Sequence, residues 1–362
     1  FLSCDIETAK VLNLISILMD SRLFFEFIHE MYDEKLRIGE TEITDRDLNV
    51  FFANKAMQSE VVAGWTDTAV KKLKQCFCRM MYEAGLVLEG GSTRGIFTSG
   101  ALDYLLEKDM EFSYVVGVSA GSCNAVDFVS KQFDRTRHCF MPERENDYMT
   151  VGAILKKHSI FDMDIIFDKY PKDIYPFDFD TYFSSETVCE IVATNARTGK
   201  AEYFQEKADR ERLMKICRAS SSMPMITPMV DVDGGFYVDG GVSDSVPLGH
   251  AMKMGYKKAV VILTRNRDYR KGPSPRMDRI WRHYFRNYPK LAEALSRRYV
   301  LYNRQMDRVD RLEAEGKIFV LRPEIPPISR AERNREKLME FYRHGYIQMM
   351  KHHKELVDYL EK

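Results

Sequence analysis

A serine between two glycines is the first feature of the sequence that could do chemistry. Ser119 lies between Gly117 and Gly121, after an apolar run that ends at Val118 and before a helical pattern. In a nucleophile elbow, a sharp strand-to-helix turn exposes a serine hydroxyl, and small flanking residues permit the turn. Because this pattern also occurs by chance in turns used only for packing, its interpretation depends on the groups predicted nearby.

A glycine-rich loop precedes Ser119 by one β-α-β step. It spans residues 89–95, between a strand-like run at 86–88 and a helical stretch. Backbone N–H groups at such a loop favour negative charge, either a phosphate or an oxyanion. A dinucleotide site would need glycine in place of Ser92 and an acid after the next strand, which ends at Ser119. We therefore predict an anion-stabilising loop beside Ser119 across adjacent parallel strands.

A serine nucleophile needs a base near neutral pH, and the candidates for this base are aspartates that precede two glycines. Asp233 and Asp239 both have this pattern, and glycine lets a strand end approach another loop closely. We interpret Asp233 as part of a hairpin turn and Asp239, before Gly240 and Gly241, as the base. A histidine base is the competing hypothesis. Its candidates late in the chain are His250, His283, His344, His352 and His353.

Hydrophobic periodicity divides the chain near residue 84. Before it, apolar residues recur at spacings of three and four over 11–28 and 68–84, which indicates amphipathic helices. Thr44 is the predicted N-cap of a helix through Phe52, and Thr66 that of the next.

After residue 84, short apolar runs alternate with helical patterns, which predicts an α/β domain with a mostly parallel sheet. The predicted strands cover residues 86–88, 115–118, 188–194, 259–263 and 317–321, with short strands on both sides of Asp233 and a closing helix from 330 to about 361. We thus predict a small helical module at 1–84 and a larger domain at 85–362.

Length and composition exclude several classes of protein. The 362 residues suffice for about two domains of roughly 150 residues each. A chain with 45% hydrophobic and 30% charged residues is globular rather than disordered or collagenous. Its apolar runs fall far short of the about 20 residues of a membrane-spanning helix. The first residues show no signal-peptide pattern. The sequence begins at Phe1 without an initiator methionine, so we expect part of the natural N-terminus to be missing.

Seven scattered cysteines favour a reducing, cytoplasmic compartment over a disulfide framework. Cys76 and Cys78 are one residue apart and have no second pair, so we predict no zinc site.

The zero net charge conceals an uneven distribution. Residues 1–84, 85–264 and 265–362 carry net charges of −4, −6 and +10. Most of the positive excess lies at 265–311, where arginines alternate with aromatic residues. This stretch is either a peripheral contact with an anionic membrane or a solvated helical face with its aromatic residues in the core.

The glycine-rich loop, the serine elbow and the Asp-Gly-Gly segment, in that order, resemble the bacterial patatin-like phospholipases over residues 81–362. Residues 218–224 also resemble the family's Ala-Ser-x-x-x-Pro block. The resemblance implies a three-layer α/β/α domain and a serine lipid acyl hydrolase, a phospholipase or esterase. It also implies a catalytic dyad of Ser119 and Asp239, a lipid ester substrate, and no histidine, metal or cofactor. The implied oxyanion hole is the backbone of Gly90, Gly91, Ser92, Thr93, Arg94 and Gly95.

Two features of this loop leave alternatives open. Ser92 stands where the family's third glycine is usual, which keeps the backbone N–H but not the conformational freedom of glycine. A catalytically weak domain with a binding role is therefore the alternative function. Arg94 either fixes the loop by pairing with a carboxylate or helps to hold an anionic head group.

Residues 16–85 are similar to the small winged-helix-like accessory protein of BREX phage-defence systems. The similarity is carried by residues 24–28, 42–47 and 65–75. It implies a helix-turn-helix module that contacts DNA or another protein. The net charge of −4 argues against strong nonspecific DNA binding, although Lys71, Lys72 and Lys74 would form a local basic edge.

Overall fold

The computed structural model describes residues 22–32, 45–66, 69, 70, 73, 84–144, 147–149, 161–256 and 258–361. They belong to two compact units, one drawn from residues 1–83 and 357–362 and the other from residues 84–356. Several predicted features lie outside the described residues: Thr44, Lys71, Lys72, Lys74, Cys76, Cys78 and most of the predicted helices at 11–28 and 68–84. Among the residues that are described, no helix has the length and apolar character needed to cross a bilayer.

The described residues of the first unit are mainly helical. Its described helices are α1 (Arg22–Phe27, continued by a π-helical turn at Ile28–Tyr32), α2 (Asp45–Gln58) and α3 (Glu60–Ala63). Phe27 and Phe51 meet edge to face, with ring centroids 5.4 Å apart, in a buried cluster with Leu48 and Phe52. Thr66 Oγ1 accepts a hydrogen bond from the Ala69 N–H, which confirms the predicted N-cap.

The second unit contains one eight-stranded sheet and helices that cover it. The strands are β1 (Ala84–Leu88), β2 (Tyr114–Val118), β3 (Val188–Asn195), β4 (Ala201–Phe204), β5 (Val230–Val232), β6 (Gly235–Asp239), β7 (Lys258–Ile262) and β8 (Phe319–Leu321). The helices are α4 (Gly95–Glu107), α5 (Ala120–Val129), α6 (Arg135–Phe140), α7 (Phe179–Ser184), α8 (Arg210–Ser220), α9 (Leu248–Lys253), α10 (Pro275–Tyr284), α11 (Pro289–Ala314) and α12 (Arg335–Lys351), with a π-helical segment at Ile165–Ile174. The last helix, α13 (His353–Glu361), begins in this unit, and its residues from 357 onward belong to the first unit.

The strand order is β5-β6-β3-β2-β1-β7-β8, with β4 also pairing with β3. Strands β1, β2, β3, β7 and β8 are parallel, and β4, β5 and β6 run antiparallel to their neighbours. The central strands are buried because their apolar runs are covered on both faces. The predicted α/β architecture, with a mostly parallel sheet after a helical region, is therefore confirmed.

Local turns and caps explain where the predicted elements were right or wrong. Asp233 and Gly234 have φ values of 53° and 81° and join β5 to β6, which confirms the predicted hairpin turn. The predicted closing helix starts five residues late, because Asn334 caps it by accepting from the Glu336 and Lys337 N–H groups. It is also two helices, α12 and α13, and strand β4 was not predicted.

Helix α11 carries side chains toward the carboxyl ends of the central strands. Tyr302, Met306 and Val309 pack into the core cluster formed by β1, β2 and β7. The Tyr302 hydroxyl also donates to Glu89 at 3.0 Å, so the middle of α11 lies beside the loop that follows β1.

Candidate active site

The sheet register brings Ser119 and Asp239 to the same point of the sheet. Val118 pairs with Val192 of β3, and Asp239 pairs with the next residue of β3, Ala193, from the other side. Ser119 Oγ donates a hydrogen bond to Asp239 Oδ2 at 2.9 Å. Both side chains are buried, with 8% and 2% of their surface exposed. The two residues predicted from separate motifs are thus in direct contact.

Ser119 occupies a strained turn between β2 and α5. Its φ of 55° and ψ of −124° lie where residues other than glycine are uncommon, a feature that clusters at functional sites. A Cβ atom at Gly117 would lie 2.3 Å from the carbonyl oxygen of Gly121. Only glycine therefore permits this close approach between the two backbone segments. The turn therefore has the geometry of a nucleophile elbow.

Backbone contacts orient the Asp239 carboxylate. Its Oδ1 accepts a hydrogen bond from the Gly241 N–H at 2.7 Å, which leaves Oδ2 for Ser119. The Asp239 N–H donates to the Ser222 carbonyl at 2.7 Å. A Cβ atom at Gly240 would lie 2.1 Å from the Val192 carbonyl oxygen, so glycine permits the close approach expected from the sequence.

Two positioning residues carried no predicted role. Ser220 Oγ accepts from the Ser119 N–H at 2.9 Å and donates to the Val192 carbonyl at 2.6 Å. Arg298 Nε donates to the Gly241 carbonyl at 2.6 Å and so supports the turn that holds Asp239. Ser220 lies in the Ala-Ser block that the family resemblance marked, whereas no local signal in the sequence points to Arg298.

The glycine-rich loop passes directly against the serine. A Cβ atom at Gly90 would lie 2.7 Å from the Val118 carbonyl oxygen and 3.0 Å from Ser119 Cβ. Ser92 has a φ of 54°, so it adopts the left-handed conformation that glycine favours, at some cost in strain.

The six residues of this loop differ in the use of their N–H groups. Thr93 donates to the Arg330 carbonyl, Arg94 to the Gly91 carbonyl, and Gly95 to carbonyls of the preceding turn. The N–H groups of Gly90, Gly91 and Ser92 donate to no acceptor in the part of the chain that the structure describes. The donors available to an oxyanion are therefore those in the first half of the predicted range.

An apolar cavity of about 130 Å³ borders the dyad. Apart from the dyad, its lining is mainly hydrophobic and includes Cys123, Val126, Met163, Phe167, Phe177 and Met214. Asp127 and Arg135 also line it, but they form an ion pair at 2.6 Å, and Thr136 Oγ1 donates to the other Asp127 oxygen. We refer to this space as the apolar cavity.

A smaller pocket of about 40 Å³ also borders the dyad. Its charged lining consists of Glu89, Asp239 and five cationic side chains. These cations are Arg94, Arg265, Lys271, Arg298 and Arg330, and we refer to this space as the basic pocket. Ser92, Ser119, Met223 and Asp239 line both spaces, so a molecule bound at Ser119 can extend into each.

The histidines proposed as alternative bases lie elsewhere. His250 contacts Glu190 at 2.7 Å and stacks on the Tyr203 ring. None of the five candidate histidines lines either space beside Ser119. The geometry therefore favours Asp239 as the partner of Ser119.

Comparison with protein families confirms both predicted resemblances. Residues 86–252 match the model of the family described as patatin-like phospholipase, and residues 1–103 match that of BrxA. Residues 288–361 match a domain of unknown function, DUF6363.

Individual curated relatives each match part of the chain. Residues of this chain are 48% identical over 92 positions to BREX protein BrxA of Bacillus cereus, covering 25% of this chain and 46% of that protein. The chain is 29% identical over 185 residues to uncharacterized protein YjjU of Escherichia coli, covering 49% and 51%. It is 25% identical over 194 residues to probable lipid hydrolase 463L of Invertebrate iridescent virus 6, covering 49% and 66%. The chain therefore spans only about half to two thirds of the length of these relatives.

Among solved structures, the chain is similar to VipD from Legionella pneumophila, with a TM-score of 0.45 and 12% sequence identity. That match covers 75% of this chain and 66% of VipD.

Proposed function

We propose that this protein is a serine lipid acyl hydrolase, a phospholipase or esterase, that uses Ser119 and Asp239 as a catalytic dyad. The observation that carries the proposal is the 2.9 Å hydrogen bond between Ser119 Oγ and Asp239 Oδ2, at the junction of an apolar cavity and a basic pocket. The match of residues 86–252 to patatin-like phospholipases supports the same chemistry.

The first half of the proposed reaction acylates the serine. Asp239 Oδ2 accepts the Ser119 proton while Oγ forms a bond to the ester carbonyl carbon, and the carbonyl electron pair moves to its oxygen. The free N–H groups of Gly90, Gly91 and Ser92 would stabilise that oxyanion. When the intermediate collapses, the bond to the leaving alcohol breaks, and the alcohol takes the proton from Asp239.

The second half regenerates the enzyme. Water attacks the acyl carbon and gives its proton to Asp239, and the bond to Ser119 Oγ then breaks. The fatty acid leaves, and the proton returns from Asp239 to Ser119. The Ser119 proton moves between two atoms that are already hydrogen-bonded, and Asp239 takes the part of the base that a histidine plays in other serine hydrolases.

The alternative function, a catalytically weak domain with a binding role, depended on Ser92. The left-handed φ of Ser92 and the free N–H groups around it favour a working oxyanion loop. We therefore place the binding role second.

Hydrolysis of a fluorogenic medium-chain ester and of a phospholipid tests the proposed dyad. We expect wild type to hydrolyse these esters and Ser119→Ala and Asp239→Asn to lose at least about 10³-fold in kcat/KM. His250→Gln serves as the matched control and should retain activity within about threefold, since His250 lies outside the site. Circular dichroism establishes that each variant is folded. Activity that survives in Asp239→Asn but disappears in a histidine variant would overturn the dyad.

We further propose that the enzyme acts in the cytoplasm and contacts anionic membranes peripherally through residues 265–311. Helix α10 presents exposed Arg276, Arg279 and Arg282, followed by the 62%-exposed Tyr284. Other aromatic residues of this stretch, Phe285 and Tyr302, are buried in the core. Co-sedimentation with phosphatidylserine vesicles should exceed that with phosphatidylcholine vesicles and should weaken with salt.

For residues 1–84 we propose a separate module that binds a protein or DNA partner. The match to BrxA supports this role, and the acidic net charge favours a protein partner or a weak DNA contact. A fluorescence anisotropy titration of the full chain with a DNA duplex should give only weak binding at physiological salt. Tight binding there would contradict this part of the proposal.

A further inference from the structure

Positive side chains outnumber negative ones in the basic pocket. Within the part of the chain that the structure describes, none of its five cationic side chains forms an ion pair. The two carboxylates of the pocket are already engaged. Glu89 accepts from the Thr264 N–H at 2.7 Å and from the Tyr302 hydroxyl at 3.0 Å, and Asp239 is held as described above. The pocket therefore has an excess of positive charge.

Arg94 shows this excess most clearly. It is only 4% exposed, and its buried Nε has no hydrogen-bond partner. Its side chain makes no hydrogen bond or ion pair with any described residue, so the first of the two alternatives for Arg94, pairing with a carboxylate, is not observed there. Burial, reinforced by Arg265 and Arg330, lowers its pKa to about 10. A buried guanidinium without an acceptor is costly, and a bound anion would remove that cost.

The remaining cations are fixed in place by the fold. The backbone of Lys271 is tied to Asn303 of α11 by two hydrogen bonds of 2.8 and 2.9 Å. The Arg330 segment is tied to the glycine-rich loop, since Thr93 Oγ1 donates to the Ser329 carbonyl at 2.8 Å. The Arg265 guanidinium lies 4.1 Å from the centre of the Tyr269 ring. These contacts preorganise the cluster around the pocket.

Four of the five cations lie beyond the segment that matches the patatin-like family, which ends at residue 252. Arg265 follows β7, Arg298 lies on α11, and Lys271 and Arg330 lie in loops. The basic pocket is therefore built mainly by the C-terminal part of this chain.

We propose that the basic pocket binds the phosphate of a phosphomonoester head group, so that the enzyme selects glycerolipids of the phosphatidic acid type. This inference rests on the proposed function, in which the acyl chain of the same substrate occupies the apolar cavity. A phosphomonoester carries a charge of about −1.5 to −2 near neutral pH and offers three acceptor oxygens. A choline or ethanolamine cation would instead meet like charges. The pocket of about 40 Å³ suits a group of a few heavy atoms rather than an acyl chain.

Binding to the folded but non-hydrolysing Ser119→Ala variant tests the pocket independently of turnover. The probes are inorganic phosphate and the monomeric lipids dihexanoyl phosphatidic acid and dihexanoyl phosphatidylcholine, measured by isothermal titration calorimetry. We expect phosphatidic acid to bind at least about tenfold more tightly than phosphatidylcholine and than inorganic phosphate. Adding Lys271→Met or Arg330→Met should weaken its binding at least about tenfold, since each removes a charge-assisted contact. Arg197→Met, at an exposed arginine between β3 and β4 and outside the pocket, is the matched control and should change binding less than twofold.

Three outcomes would overturn the inference. One is equal affinity for the two lipids, and another is equal loss in the Arg197→Met control. The third is phosphatidic acid binding no tighter than inorganic phosphate, which would indicate a site for free phosphate.

Two further results distinguish a failure of the proposed dyad from a failure of the head-group inference. If wild type does not hydrolyse a neutral short-chain ester, the dyad fails, while the binding measurements still decide the pocket. If that ester is hydrolysed but the two lipids have equal kcat/KM, the dyad stands and the head-group inference fails.

Discussion

The apolar cavity and the basic pocket both border Ser119, but the charged side chains that line them differ in whether they form ion pairs. In the apolar cavity, the charges of Asp127 and Arg135 neutralise each other at 2.6 Å. In the basic pocket, five cations remain without an ion-pair partner among the described residues. Charge is thus balanced where an apolar chain would bind and left unbalanced where a ligand can supply the counter-ion.

The largest expected effect comes from breaking the neutral pair of the apolar cavity. Arg135→Met should lower the free energy of unfolding by about 3–5 kcal/mol at pH 7, because it leaves the Asp127 carboxylate buried without its partner. Burial already raises the pKa of Asp127, and the variant raises it further. The penalty belongs to the ionised carboxylate, so it should shrink as the pH falls and Asp127 becomes protonated.

Urea unfolding at pH 7 and pH 5 measures this loss. Asp127→Asn added to Arg135→Met should restore part of the stability, since it removes the uncompensated charge. If Arg135→Met alone lowers the free energy of unfolding by less than about 1 kcal/mol, Arg135 does not compensate the buried charge of Asp127.

Filling the apolar cavity should shorten the acyl chain that the enzyme accepts. Cys123 lines the cavity near Ser119, and burial raises the pKa of its thiol to about 12, so it behaves as a small neutral side chain. Cys123→Phe should displace three or four methylene groups of the chain, each worth about 0.8 kcal/mol. The kcat/KM for an octanoyl ester should therefore fall about 50- to 200-fold.

An acetyl ester is the internal control for this variant. Its hydrolysis should change less than about threefold, because the dyad and the glycine-rich loop are untouched. An equal loss for both esters would mean that the acyl chain lies elsewhere or that the ring disturbs Ser119.

Removing a cation from the basic pocket should have the opposite effect on stability from Arg135→Met. Lys271→Met should leave the free energy of unfolding unchanged or raise it by up to about 1 kcal/mol, because it relieves repulsion among like charges. The gain should be larger at low salt, where this repulsion is less screened. Urea unfolding at two ionic strengths measures it, and a loss above about 1 kcal/mol would show that Lys271 is a structural residue.

The smallest expected effect is a change in the pH dependence of phosphate binding. Burial, with Arg298 and Arg330, lowers the pKa of Lys271, whereas Glu89 and Asp239 oppose the shift. Because protonated Lys271 attracts an anion, the affinity for phosphate should decline a few-fold as the pH rises through this lowered pKa. The decline should occur at a lower pH than for a lysine with an ordinary pKa.

Calorimetric titration of phosphate into Ser119→Ala across the pH range measures this decline. The second ionisation of phosphate adds negative charge as the pH rises, so it acts in the opposite direction at lower pH. Lys271→Met should flatten the alkaline decline, and an unchanged profile in that variant would exclude Lys271 as its cause.

The chemistry of the dyad could be predicted because its signals are local. The glycine pattern around Ser119 specifies a turn, and the apolar runs at 115–118 and 188–194 specify neighbouring strands whose ends meet at one edge. Once Asp233 was assigned to a hairpin turn, Asp239 was the aspartate left at a strand end. Backbone geometry alone then brings the two side chains together.

The basic pocket could not be predicted because its residues are distant in the sequence. Its cations range from Arg94 to Arg330 and come together only when α11 packs against the sheet. From the sequence, Arg265 and Arg298 belong to a stretch interpreted as a membrane contact or a solvated face. The structure instead directs these two side chains to the site, while Arg270 pairs with Asp310 on the surface.

Covalent labelling with a fluorophosphonate, followed by peptide mass spectrometry, tests the central claim most directly. The probe reacts with an activated serine without requiring the natural acyl chain or head group. We expect one adduct on the peptide that contains Ser119, none in Ser119→Ala, and labelling at least about tenfold slower in Asp239→Asn. A folded wild-type protein that remains unlabelled, or an adduct on a different serine, would contradict the account.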